Sequence, residues 1–558
     1  MGDGGDLMKD LLFYDVEVFH SNAFVVFKDI DKNIKAVFHN NFVGLDDFIK
    51  GKTLVGYNNY WYDDHILHAM LDLRMPQQIK ALSDRAIGGE RLYIPYYKFD
   101  SLDTFQQIDP NMPSLKKIEA NMGKMILESS VPFTIERELT EAEYLDVLNY
   151  CKYDVDMTIE VYKMREKNYF VPKESIVKML KNPYAARWNT TTLSANVLVK
   201  KPVVKWFDIN VPDEILDLVP PEVREMWLTK DKGSITIHDF DNEIVFGFGG
   251  LHGQNTKKKR FENVINLDVA SLYPSIIVNH KILGTATKKY KEILDERIRI
   301  KHTDPDKQAG LKLILNSVYG LLKSEYSLLN NPKASTTVCA IGQAILYDLS
   351  KRLSSTCEIV QINTDGVAFI PFTDDYKTIW KEWENDYNLT LEREDFSTFW
   401  QRDVNNYIAL TPDGKLKTKG GDVNRYHEDA VFKNNNARII DKAIINKLVY
   451  GKDVLTTLQE HLDEPKLYQY ILQAGRTYLG TYDNNDQKHE RINRVFAAKK
   501  GDFCLYKKRL DGGMVRFADA PMKMFLWNDD CDKIENFKKI VDLNHYYQII
   551  MKKLERWM

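Results

Sequence analysis

The sequence lacks the features that mark several specialised classes of protein. No apolar run reaches the roughly 18 residues that a membrane-spanning helix needs, so we expect no membrane association. The five cysteines are few, odd in number and never spaced CxxC, which argues against a disulfide framework and against zinc or iron–sulfur modules. The N-terminus, MGDGGDLMKD, has neither a basic end nor an apolar core, so we expect no secretory signal. These absences favour a reducing cytoplasm.

The charge of the chain is nearly balanced, with a formal net charge of -3. That balance alone predicts no nucleic-acid partner, but it conceals local clusters of basic residues. The clusters are KKKR at 257–260, KKYK at 288–291, KLKTK at 415–419, KK at 499–500 and KKR at 507–509. Any one of them is more often solvated surface, whereas several in one chain favour a path lined for phosphates.

Hydrophobic periodicity predicts a protein that mixes strands and helices in more than one domain. We expect buried strands at 11–19, 53–57 and 262–269, and helices at 140–167, 306–328 and 335–353. Thr140 and Glu143 form a candidate capping box at the start of the first helix. From about residue 430 onward we expect mostly helices, with a hairpin around 502–517. This order of elements predicts a multidomain enzyme of the α/β and α+β classes.

The stretch QINTDGVAFI, residues 361–370, predicts two short strands around a tight turn. Apolar residues alternate with small or polar ones, and Asp365-Gly366 is a strong hairpin signal. Asp365 is then a lone carboxylate on an apolar hairpin and needs a partner. Asp268, in LDVASLYPSII, ends a strand directly before a helix, where sheets commonly present catalytic groups. Asp268 and Asp365 are therefore a natural pair for two Mg²⁺ ions, with the carbonyl of Val269 as a third ligand.

Between these two acids, GLKLILNSVYGLL places three polar or aromatic side chains on one helical face. Lys312, Asn316 and Tyr319 stand at positions i, i+4 and i+7. A cation, an amide and an aromatic ring suit, in that order, a triphosphate, a base edge and a base or sugar surface. An ordinary amphipathic helix with a solvated lysine would explain any one of them, but it explains all three poorly.

A second group of acids lies early in the chain. Asp15 and Glu17, in YDVEVF, alternate along a strand and share one face, which is costly unless a cation joins them. Asp63 follows another predicted strand, and Asp154 shares a helical face with Tyr150. Each acid taken alone is more often a surface residue, but the ordered set is much more specific.

The order DxE, then NxxxYD, then YxxxD resembles the pattern of DnaQ-like 3′–5′ exonucleases. The matching residues are Asp15 and Glu17, then Asn58, Tyr62 and Asp63, then Tyr150 and Asp154. The resemblance implies two divalent cations held by the four acids, with Tyr150 positioning the attacking water and Asn58 binding substrate. Spacing leaves Asp64 open as an alternative to Asp63. Ser114-Leu115 resembles, weakly, a motif that contacts the frayed primer strand.

The later motifs resemble those of family B DNA polymerases and stand in the order of that family. DVASLYPSII resembles motif A, KLILNSVYG motif B, NTDG motif C, KTKGGD at 417–422 a motif at the base of the thumb, and NRVFAAKKGDFCLYKK a thumb segment of viral members. The resemblance implies an RNase H-like exonuclease domain followed by a right-hand polymerase. The implied bounds are exonuclease 1–167, connecting region 168–260, palm 261–285 and 329–430, fingers 286–328 and thumb 431–558.

The resemblance also assigns roles in polymerisation by position. Asp268 and Asp365 would hold the catalytic metals, and Lys312 would bind the incoming triphosphate. Arg297 would be a second phosphate ligand, with Arg299 and Lys301 competing for that role. The remaining implied contacts are Tyr273, stacked under the sugar and excluding a 2′-hydroxyl, Asn316 and Tyr319 at the nascent pair, Tyr407 at the primer terminus, and Lys419 on the substrate.

Three motifs depart from the family pattern. Motif C usually carries two acids, and here Asn363 replaces the first of them. Asp365 stands at the position of the direct ligand, so we still predict activity, and the substitution bears on metal dependence. Asn405 or Asn406 replaces a lysine ahead of the tyrosine in NNYI. FGFGGLHG keeps the two glycines of the YxGG motif but not its tyrosine.

The resulting hypothesis is a compact DNA polymerase with a proofreading exonuclease, from a bacterial virus that replicates its genome. We expect Mg²⁺, two ions per active site, with Mn²⁺ as an alternative. The expected partners are primer–template DNA, dNTPs, and a phage helicase, primase or clamp. The short interval between Asp268 and Lys312 leaves no room for the insertion that binds terminal protein in protein-primed relatives. We expect a monomer in the cytoplasm of a host cell.

Two other functions stay open on the sequence. One is a 3′–5′ exonuclease whose polymerase half only binds DNA, which Asn363 and the missing lysine favour. The other is a non-catalytic DNA-binding scaffold, which the two groups of acids disfavour because they would repel one another without metals. The distinctive segment NPYAARWNTTTLSANVL, within 168–245, has no assigned role.

Overall fold

The structure is a computed structural model that describes Met8 and residues 10–425, 427–433 and 436–558. Most of the N-terminal decapeptide, on which the expectation of no secretory signal rests, lies outside the described residues. The chain forms two compact units: unit 1 contains residues 1–189, 427–438 and 460–545, and unit 2 contains residues 190–426, 439–459 and 546–558. The bounds implied for exonuclease, palm, fingers and thumb stay predictions.

Strands and helices occur in both units. The strands are β1 Leu11–Val18, β2 Ala23–Lys28, β3 Ile34–His39, β4 Thr53–Gly56, β5 Asp100–Asp103, β6 Ser234–Asp239, β7 Asn242–Gly247, β8 Gly250–Asn255, β9 Arg260–Val269, β10 Cys357–Asn363, β11 Gly366–Pro371, β12 Leu391–Asp403, β13 Asn406–Leu410, β14 Leu416–Lys419, β15 Tyr470–Gln473, β16 Gly480–Asp483, β17 Lys488–His489, β18 Ile492–Ala497, β19 Leu505–Lys508, β20 Met514–Arg516 and β21 Met524–Leu526. The α-helices are α1 Leu45–Ile49, α2 Asp63–Leu71, α3 Pro76–Ile87, α4 Leu115–Asn121, α5 Glu141–Arg165, α6 Val171–Leu180, α7 Thr190–Leu198, α8 Asp213–Leu216, α9 Pro221–Thr229, α10 Leu272–Asn279, α11 Thr287–Ile300, α12 Pro305–Lys323, α13 Pro332–Leu353, α14 Tyr376–Tyr387, α15 Ile439–Tyr450, α16 Val454–Glu460, α17 Phe537–Ile540 and α18 Leu543–Leu554.

The central sheet of unit 1 has the strand order β3-β2-β1-β4-β5. β1 pairs antiparallel with β2 and parallel with β4, and β4 pairs parallel with β5. Alternate residues of β1 enter separate cores, with Tyr14 on one side and Phe13 on the other, where the buried face of α5 also packs. Because side chains alternate along a strand, Asp15 and Glu17 share the face of Phe13. The predicted capping box of Thr140 and Glu143 begins α5.

The part of unit 1 that spans residues 470–526 consists of short strands, so the expectation of mostly helices is wrong there. β15, β18 and β21 form one small sheet, and β17, β16, β19 and β20 form another. Every residue of β18, INRVFA, is buried, including the polar Asn493 and Arg494, so this strand is covered on both faces. The hairpin expected at 502–517 is present as β19 and β20.

Unit 2 is organised around an antiparallel sheet of nine strands in the order β14-β13-β12-β9-β11-β10-β8-β7-β6. The expected hairpin is formed by β10 and β11. Its turn consists of Thr364 and Asp365, because Asn363 pairs with Gly366, and Thr364 adopts a positive φ of 57°. The turn therefore lies one residue earlier than the Asp-Gly signal implies, and Gly366 belongs to the strand.

The two long helices of unit 2 begin at proline residues that follow capping side chains. Asp304 caps α12 ahead of Pro305, and Asn331 caps α13 ahead of Pro332. α12 ends at Lys323, earlier than the expected residue 328. Strands and helices together confirm the coarse expectation of a multidomain α/β protein. Among the described residues, no helix has both the length and the apolar character to cross a membrane.

Candidate functional site

The first candidate site lies where β1 meets α5 in unit 1. Asp15, Glu17 and Cys151 each place one potential ligand atom within 4.8 Å of the others. The Cys151 thiol also donates a hydrogen bond to the Asp15 carbonyl at 3.5 Å. The two carboxylates are thus gathered beneath a helix, as the alternation along the strand predicts.

Asp63 and Asp64 both stand at the start of α2, but their surroundings differ. The carboxylate of Asp64 is engaged by the Tyr14 hydroxyl, Asn59 Nδ2 at 2.9 Å, Ser101 Oγ at 2.8 Å and Arg187 Nη2 at 2.6 Å. Burial and the nearby Asp15, in contrast, raise the pKa of Asp63 well above its usual range. Asp63 therefore interacts electrostatically with Asp15, whereas the carboxylate of Asp64 is already engaged by four side chains.

Asp154 and Tyr150 lie one turn apart on α5, as their spacing predicts. Lys116, from α4, forms an ion pair with Asp154, and its Nζ lies 4.4 Å from the centre of the Tyr150 ring. The same Nζ is 3.5 Å from a carboxylate oxygen of Glu119, which is fully buried. A lysine of the protein therefore already contacts one of the four acids.

The electrostatics of this group favour an added cation. Burial and Asp154 raise the pKa of Asp15 to about 8. Burial and Asp15 raise the pKa of Glu17, and burial outweighs Lys116 in raising the pKa of Asp154. Carboxylates gathered in this way repel one another unless they are protonated or bound to a cation. A set of carboxylate oxygens is the donor chemistry that Mg²⁺ and Mn²⁺ prefer.

Asn58 and Ser114 are placed near this region by backbone features. Asn58 follows β4 with a positive φ of 61°, and its backbone N–H donates to Asp103 Oδ1 at 2.7 Å. Ser114 is the capping residue of α4 and accepts a hydrogen bond from the Lys117 N–H at 3.4 Å. In the described ranges, neither residue is hydrogen-bonded to the four acids.

The second candidate site lies on central strands of the nine-stranded sheet. Asp268, near the end of β9, pairs in register with Gly366 at the start of β11, and Asp365 directly precedes that glycine. The Val269 N–H donates to the Asp365 carbonyl at 2.7 Å. A Cβ at Gly366 would overlap Oδ1 of Asp268, so only glycine allows this approach. The structure therefore brings the two acids to adjacent positions of neighbouring strands.

Lys419 lies beside this pair of acids. It pairs with Tyr407 across β13 and β14, and its Nζ lies 5.9 Å from the centre of the Tyr407 ring. The same Nζ donates to Asn363 Oδ1 at 3.3 Å. Burial, with a further contribution from Asp365, raises the pKa of Asp268 to about 6. Burial raises the pKa of Asp365 also, and Lys419 opposes that increase.

Tyr273 of α10 and Tyr319 of α12 contact each other. Their ring centres are 4.7 Å apart, with 43° between the ring planes. The Tyr319 hydroxyl donates to the Phe248 carbonyl at 3.0 Å, and Lys323 Nζ donates to the same carbonyl at 2.9 Å. Phe248 belongs to the FGFGG turn, so this turn contacts α12 although its tyrosine is missing.

The three cations expected as candidates for the second phosphate contact differ in the protein groups that they contact. Arg297 Nη1 donates to Ser271 Oγ, beside the motif A helix, at 2.9 Å. Arg299 pairs with Glu296 at 2.7 Å, and Lys301 pairs with Glu392 at 3.0 Å. Arg299 and Lys301 are thus neutralised by nearby acids, whereas Arg297 is directed toward motif A.

Lys312 and Asn316 lie on the exposed face of α12, and Tyr319, half-buried, continues that face. Within the described part of the chain, Lys312 forms no ion pair and Asn316 contacts no other candidate residue through a hydrogen bond. The shared face agrees with the helical spacing, and it leaves both side chains accessible.

Sequence reasoning missed two cations that contact the first site. Lys116 directly follows Ser114-Leu115, and that motif could have indicated a functional role for Lys116. Arg187 lies in NPYAARWN, the segment without an assigned role. Its guanidinium carbon lies 3.6 Å from the centre of the Tyr97 ring and 4.8 Å from that of Tyr60, and it pairs with Asp64. The segment therefore neutralises the acid next to Asp63.

Comparison with known proteins gives several archaeal relatives but no matching family model. DNA polymerase 1 of Aeropyrum pernix is 25% identical over 365 residues, which are 52% of this chain and 37% of that protein. DNA polymerase 1 of Sulfolobus acidocaldarius is 26% identical over 382 residues, 66% of this chain and 42% of its own. DNA polymerase of Desulfurococcus strain Tok is 22% identical over 394 residues, 60% of this chain and 48% of its own. The matches span less than half the length of these relatives.

Among solved structures, the family B DNA polymerase from the hyperthermophilic archaeon Pyrobaculum calidifontis aligns with 98% of this chain and 77% of its own chain. The TM-score of that alignment is 0.45, and the sequence identity is 14%.

Proposed function

We propose that the chain, which is similar to archaeal DNA polymerases, is a DNA-directed DNA polymerase of family B that extends a nucleic-acid primer with dNTPs. The observation that carries the proposal is the approach of Asp268 and Asp365 across β9 and β11, which Gly366 permits. The motifs around these acids supply a cation, an amide and an aromatic ring for the nucleotide.

The donor set at this site fits divalent cations. Asp268, Asp365 and the carbonyl of Val269 would hold two Mg²⁺ ions, or Mn²⁺ in their place. Burial raises the pKa of both carboxyls, so a cation stabilises their charged forms. When bound, such ions activate the attacking hydroxyl and stabilise the charge that develops on the phosphate. Asn363 accepts a hydrogen bond from Lys419. We propose that the ammonium group of Lys419 occupies the place left by the first acid of motif C.

The other residues would bind and orient substrate. Arg297 and Lys312 would pair with the triphosphate, because both are cations that no acid of the described chain neutralises. Tyr273, packed against Tyr319, would stack under the sugar and exclude a 2′-hydroxyl. Asn316 and Tyr319 would contact the nascent base pair. Tyr407 and Lys419 would hold the primer terminus, so that its 3′-hydroxyl attacks the α-phosphate in line and releases pyrophosphate.

We also propose 3′–5′ exonuclease activity for unit 1. Asp15, Glu17, Asp63 and Asp154 would hold two divalent cations, and the raised pKa values of these acids support a bound cation. Tyr150, next to Asp154, would orient the attacking water, and Asn58 would bind the terminal nucleotide. The strand order β3-β2-β1-β4-β5, with β1 parallel to β4, fits an RNase H-like domain.

The wider setting is part of the same proposal. We propose a right-hand polymerase with palm, fingers and thumb, acting as a monomer without a terminal protein. Its place would be the cytoplasm of a bacterial host, in the replication of a phage genome, with a helicase, primase or clamp as partners.

A labelled primer–template incubated with Mg²⁺, with and without dNTPs, tests the proposal. We expect the primer to lengthen with dNTPs and to shorten without them. Asp365→Asn should abolish lengthening and leave shortening intact, because it removes a carboxylate from the second site only. Asn363→Asp should keep lengthening and change its dependence on Mg²⁺ and Mn²⁺. Robust synthesis by Asp365→Asn would overturn the assignment of Asp365 as a metal ligand. Shortening of the primer both with and without dNTPs would favour a 3′–5′ exonuclease whose polymerase half only binds DNA.

A further inference from the structure

One surface of unit 2 combines exposed aromatic side chains with lysines that have no acidic partner. It is formed by the loop at 199–210, the loop at 324–331 that joins α12 to α13, and the adjoining Lys230, Lys323 and Lys333. We refer to these residues as the loop surface. Neither the candidate active sites nor the family motifs include its two loops.

Hydrogen bonds donated by backbone N–H groups of the first loop hold the two loops side by side. The Val203 N–H donates to the Leu328 carbonyl at 3.0 Å, and the Trp206 N–H donates to Asn331 Oδ1 at 3.2 Å. The Asn210 N–H then donates to Thr337 Oγ1, in α13, at 3.0 Å. The first loop therefore follows the second along its length, and the side chains of both loops belong to one surface.

The three most exposed large hydrophobic side chains of the described residues all lie on the loop surface. Tyr326 is 99% exposed, Phe207 is 89% exposed and Val204 is 86% exposed. Large apolar side chains left fully in water give no stability to the fold, and their concentration in one place is typical of a binding surface. Tyr326 and Phe207 offer flat ring faces that do not pack against other parts of the protein.

The lysines of the loop surface differ from most others in the chain. Lysines elsewhere commonly pair with an acid, as Lys417 does with Glu394 at 2.6 Å. None of the lysines of the loop surface forms an ion pair with a described residue; they are Lys200, Lys201, Lys205, Lys230, Lys323 and Lys333. The exposed acids among them are fewer: Asp208, Asp231 and Glu325. The loop surface is therefore positively charged and open to an anionic partner.

Two of these lysines, Lys323 and Lys230, contact the FGFGG turn, and Lys333 lies near Lys230. Lys323 Nζ donates to the Phe248 carbonyl at 2.9 Å and lies 4.3 Å from the centre of the Tyr319 ring. Lys230 Nζ lies 5.8 Å from the centre of the Phe248 ring. Burial, Lys333 and Lys323 together lower the pKa of Lys230, as expected of like charges brought close to one another. The positive charge thus continues to Tyr319, the residue assigned to the nascent base pair.

We propose that the loop surface binds the single-stranded part of the template, with bases stacked on Tyr326 and Phe207 and phosphates paired with the lysines. Exposed rings beside a basic track are the combination that binds single strands without sequence preference. A duplex hides the faces of its bases, so stacking on these rings requires an unpaired strand. An acidic protein would use the lysines but would leave the rings exposed. This inference rests on the proposed polymerase function, since it names the substrate strand of that site.

The test measures binding of a fluorescent oligo(dT) by the full chain, using polarisation at several salt concentrations. Phe207→Ser with Tyr326→Ser should weaken binding about tenfold or more, because the bases can no longer stack on the two rings. This variant should keep the salt dependence of the wild type. Lys200→Gln, Lys201→Gln and Lys205→Gln together should also weaken binding, and should make it less dependent on salt because fewer counterions are released.

Matched controls come from exposed residues of unit 2 that lie outside the loop surface. Phe372→Ser with Tyr450→Ser removes two rings that are 68% and 63% exposed, and should leave binding unchanged. Lys351→Gln, Lys377→Gln and Lys381→Gln remove the same number of charges and should have a smaller effect than the triple change in the loop surface. Equal losses in test and control variants would show only a general charge effect and would contradict the proposal.

A second measurement separates this inference from the proposed function. The aromatic variant should fill a one-nucleotide gap in the template as fast as the wild type, but should extend less far on a long single-stranded template. If the wild type does not synthesise DNA but its binding of oligo(dT) still depends on the two rings, the polymerase proposal fails and the proposed binding surface stands. Unchanged oligo(dT) affinity in both loop-surface variants would overturn this inference and would make a protein the better candidate for the exposed rings.

Discussion

Lys116 and Lys419 occupy comparable places in the two candidate sites. Lys116 pairs with Asp154 in the first site, and Lys419 lies beside Asp365 in the second. Each lysine reduces the repulsion among buried carboxylates without removing it, since burial still raises the pKa of both acids. Each lysine therefore offsets part of the cost of gathering these acids in a buried place.

Arg187 stabilises the first site through Asp64, the residue that follows the candidate ligand Asp63 in the sequence. Its ion pair with Asp64 is largely withdrawn from water, with side-chain exposures of 14% and 0%. Removing one partner of a buried pair leaves an uncompensated charge, whereas removing both can be nearly neutral. Arg187→Met should therefore lower the free energy of unfolding by about 3 kcal/mol. Thermal denaturation in the presence of Mg²⁺ measures the loss.

The double variant Arg187→Met with Asp64→Asn is the control for this prediction. It removes the charge of both partners and keeps the size of the Asp64 side chain, so it should recover part of the stability that Arg187→Met loses. Arg187→Lys, which keeps the charge but loses the planar contact with Tyr97 and Tyr60, should lie between the wild type and Arg187→Met. If the double variant is less stable than Arg187→Met, the two residues do not act as a pair.

At the level of elements, the pairing of β9 with β11 decides the geometry of the second site. Gly366 is in the strand, and a Cβ there would overlap Oδ1 of Asp268. Gly366→Ala should therefore displace the Asp268 carboxylate and reduce primer extension at least about tenfold, while exonuclease activity in the same preparation stays near that of the wild type. The loss reflects the sensitivity of catalysis to small misplacement of reacting groups.

Gly233→Ala is the matched control for this change. Gly233 lies in the same unit, its φ is not in the positive region, and a Cβ there would meet no atom within 4 Å. It should leave primer extension unchanged. Full extension by Gly366→Ala would mean that the position of Asp268 at this strand pair is not needed for synthesis.

The sequence predicted the elements of the sites better than their contacts. The spacing of Asp15 with Glu17 and of Tyr150 with Asp154 is local, so strand and helix periods were sufficient to place each pair on one face. Lys419 reaches Asn363 through the pairing of β13 with β14 and the sheet between them, which no local pattern records. Arg187 likewise reaches Asp64 only through the tertiary fold.

The same distinction explains the error after residue 470. Short strands such as Tyr470–Gln473 and Ile492–Ala497 are too brief to establish a period of two, and full burial removes the alternation of apolar with polar residues. The hairpin at 502–517 differs in that its turn residues, Asp511-Gly512-Gly513, are a local signal. Strand pairing between distant segments is therefore the part of this fold that a single sequence leaves open.

For the molecule as a whole, the raised pKa values of buried carboxyls link stability to pH and to divalent cations. Asp15 has a pKa of about 8 in the folded chain, against an ordinary value of 3.8. A group whose pKa is raised on folding stabilises the protein fully below the unfolded value and loses that contribution as pH rises through the folded value. In EDTA, wild type should therefore lose stability relative to Asp15→Asn from about pH 4 to about pH 8, and the difference should be constant at higher pH.

Thermal unfolding of both proteins across this pH range, with EDTA or with Mg²⁺, measures the effect. Comparing wild type with Asp15→Asn cancels the titration of groups outside this cluster of acids, including histidines whose pKa is lowered by burial. With Mg²⁺ at pH 8 the wild type should become the more stable of the two proteins. The Asp15 carboxylate then binds a cation, which stabilises the folded state, and the amide of the variant does not. Asp46→Asn, which changes an exposed acid on α1, should follow the wild type under every condition. A pH-independent difference in EDTA would place Asp15 in a solvated environment and remove the electrostatic argument for a cation beside it.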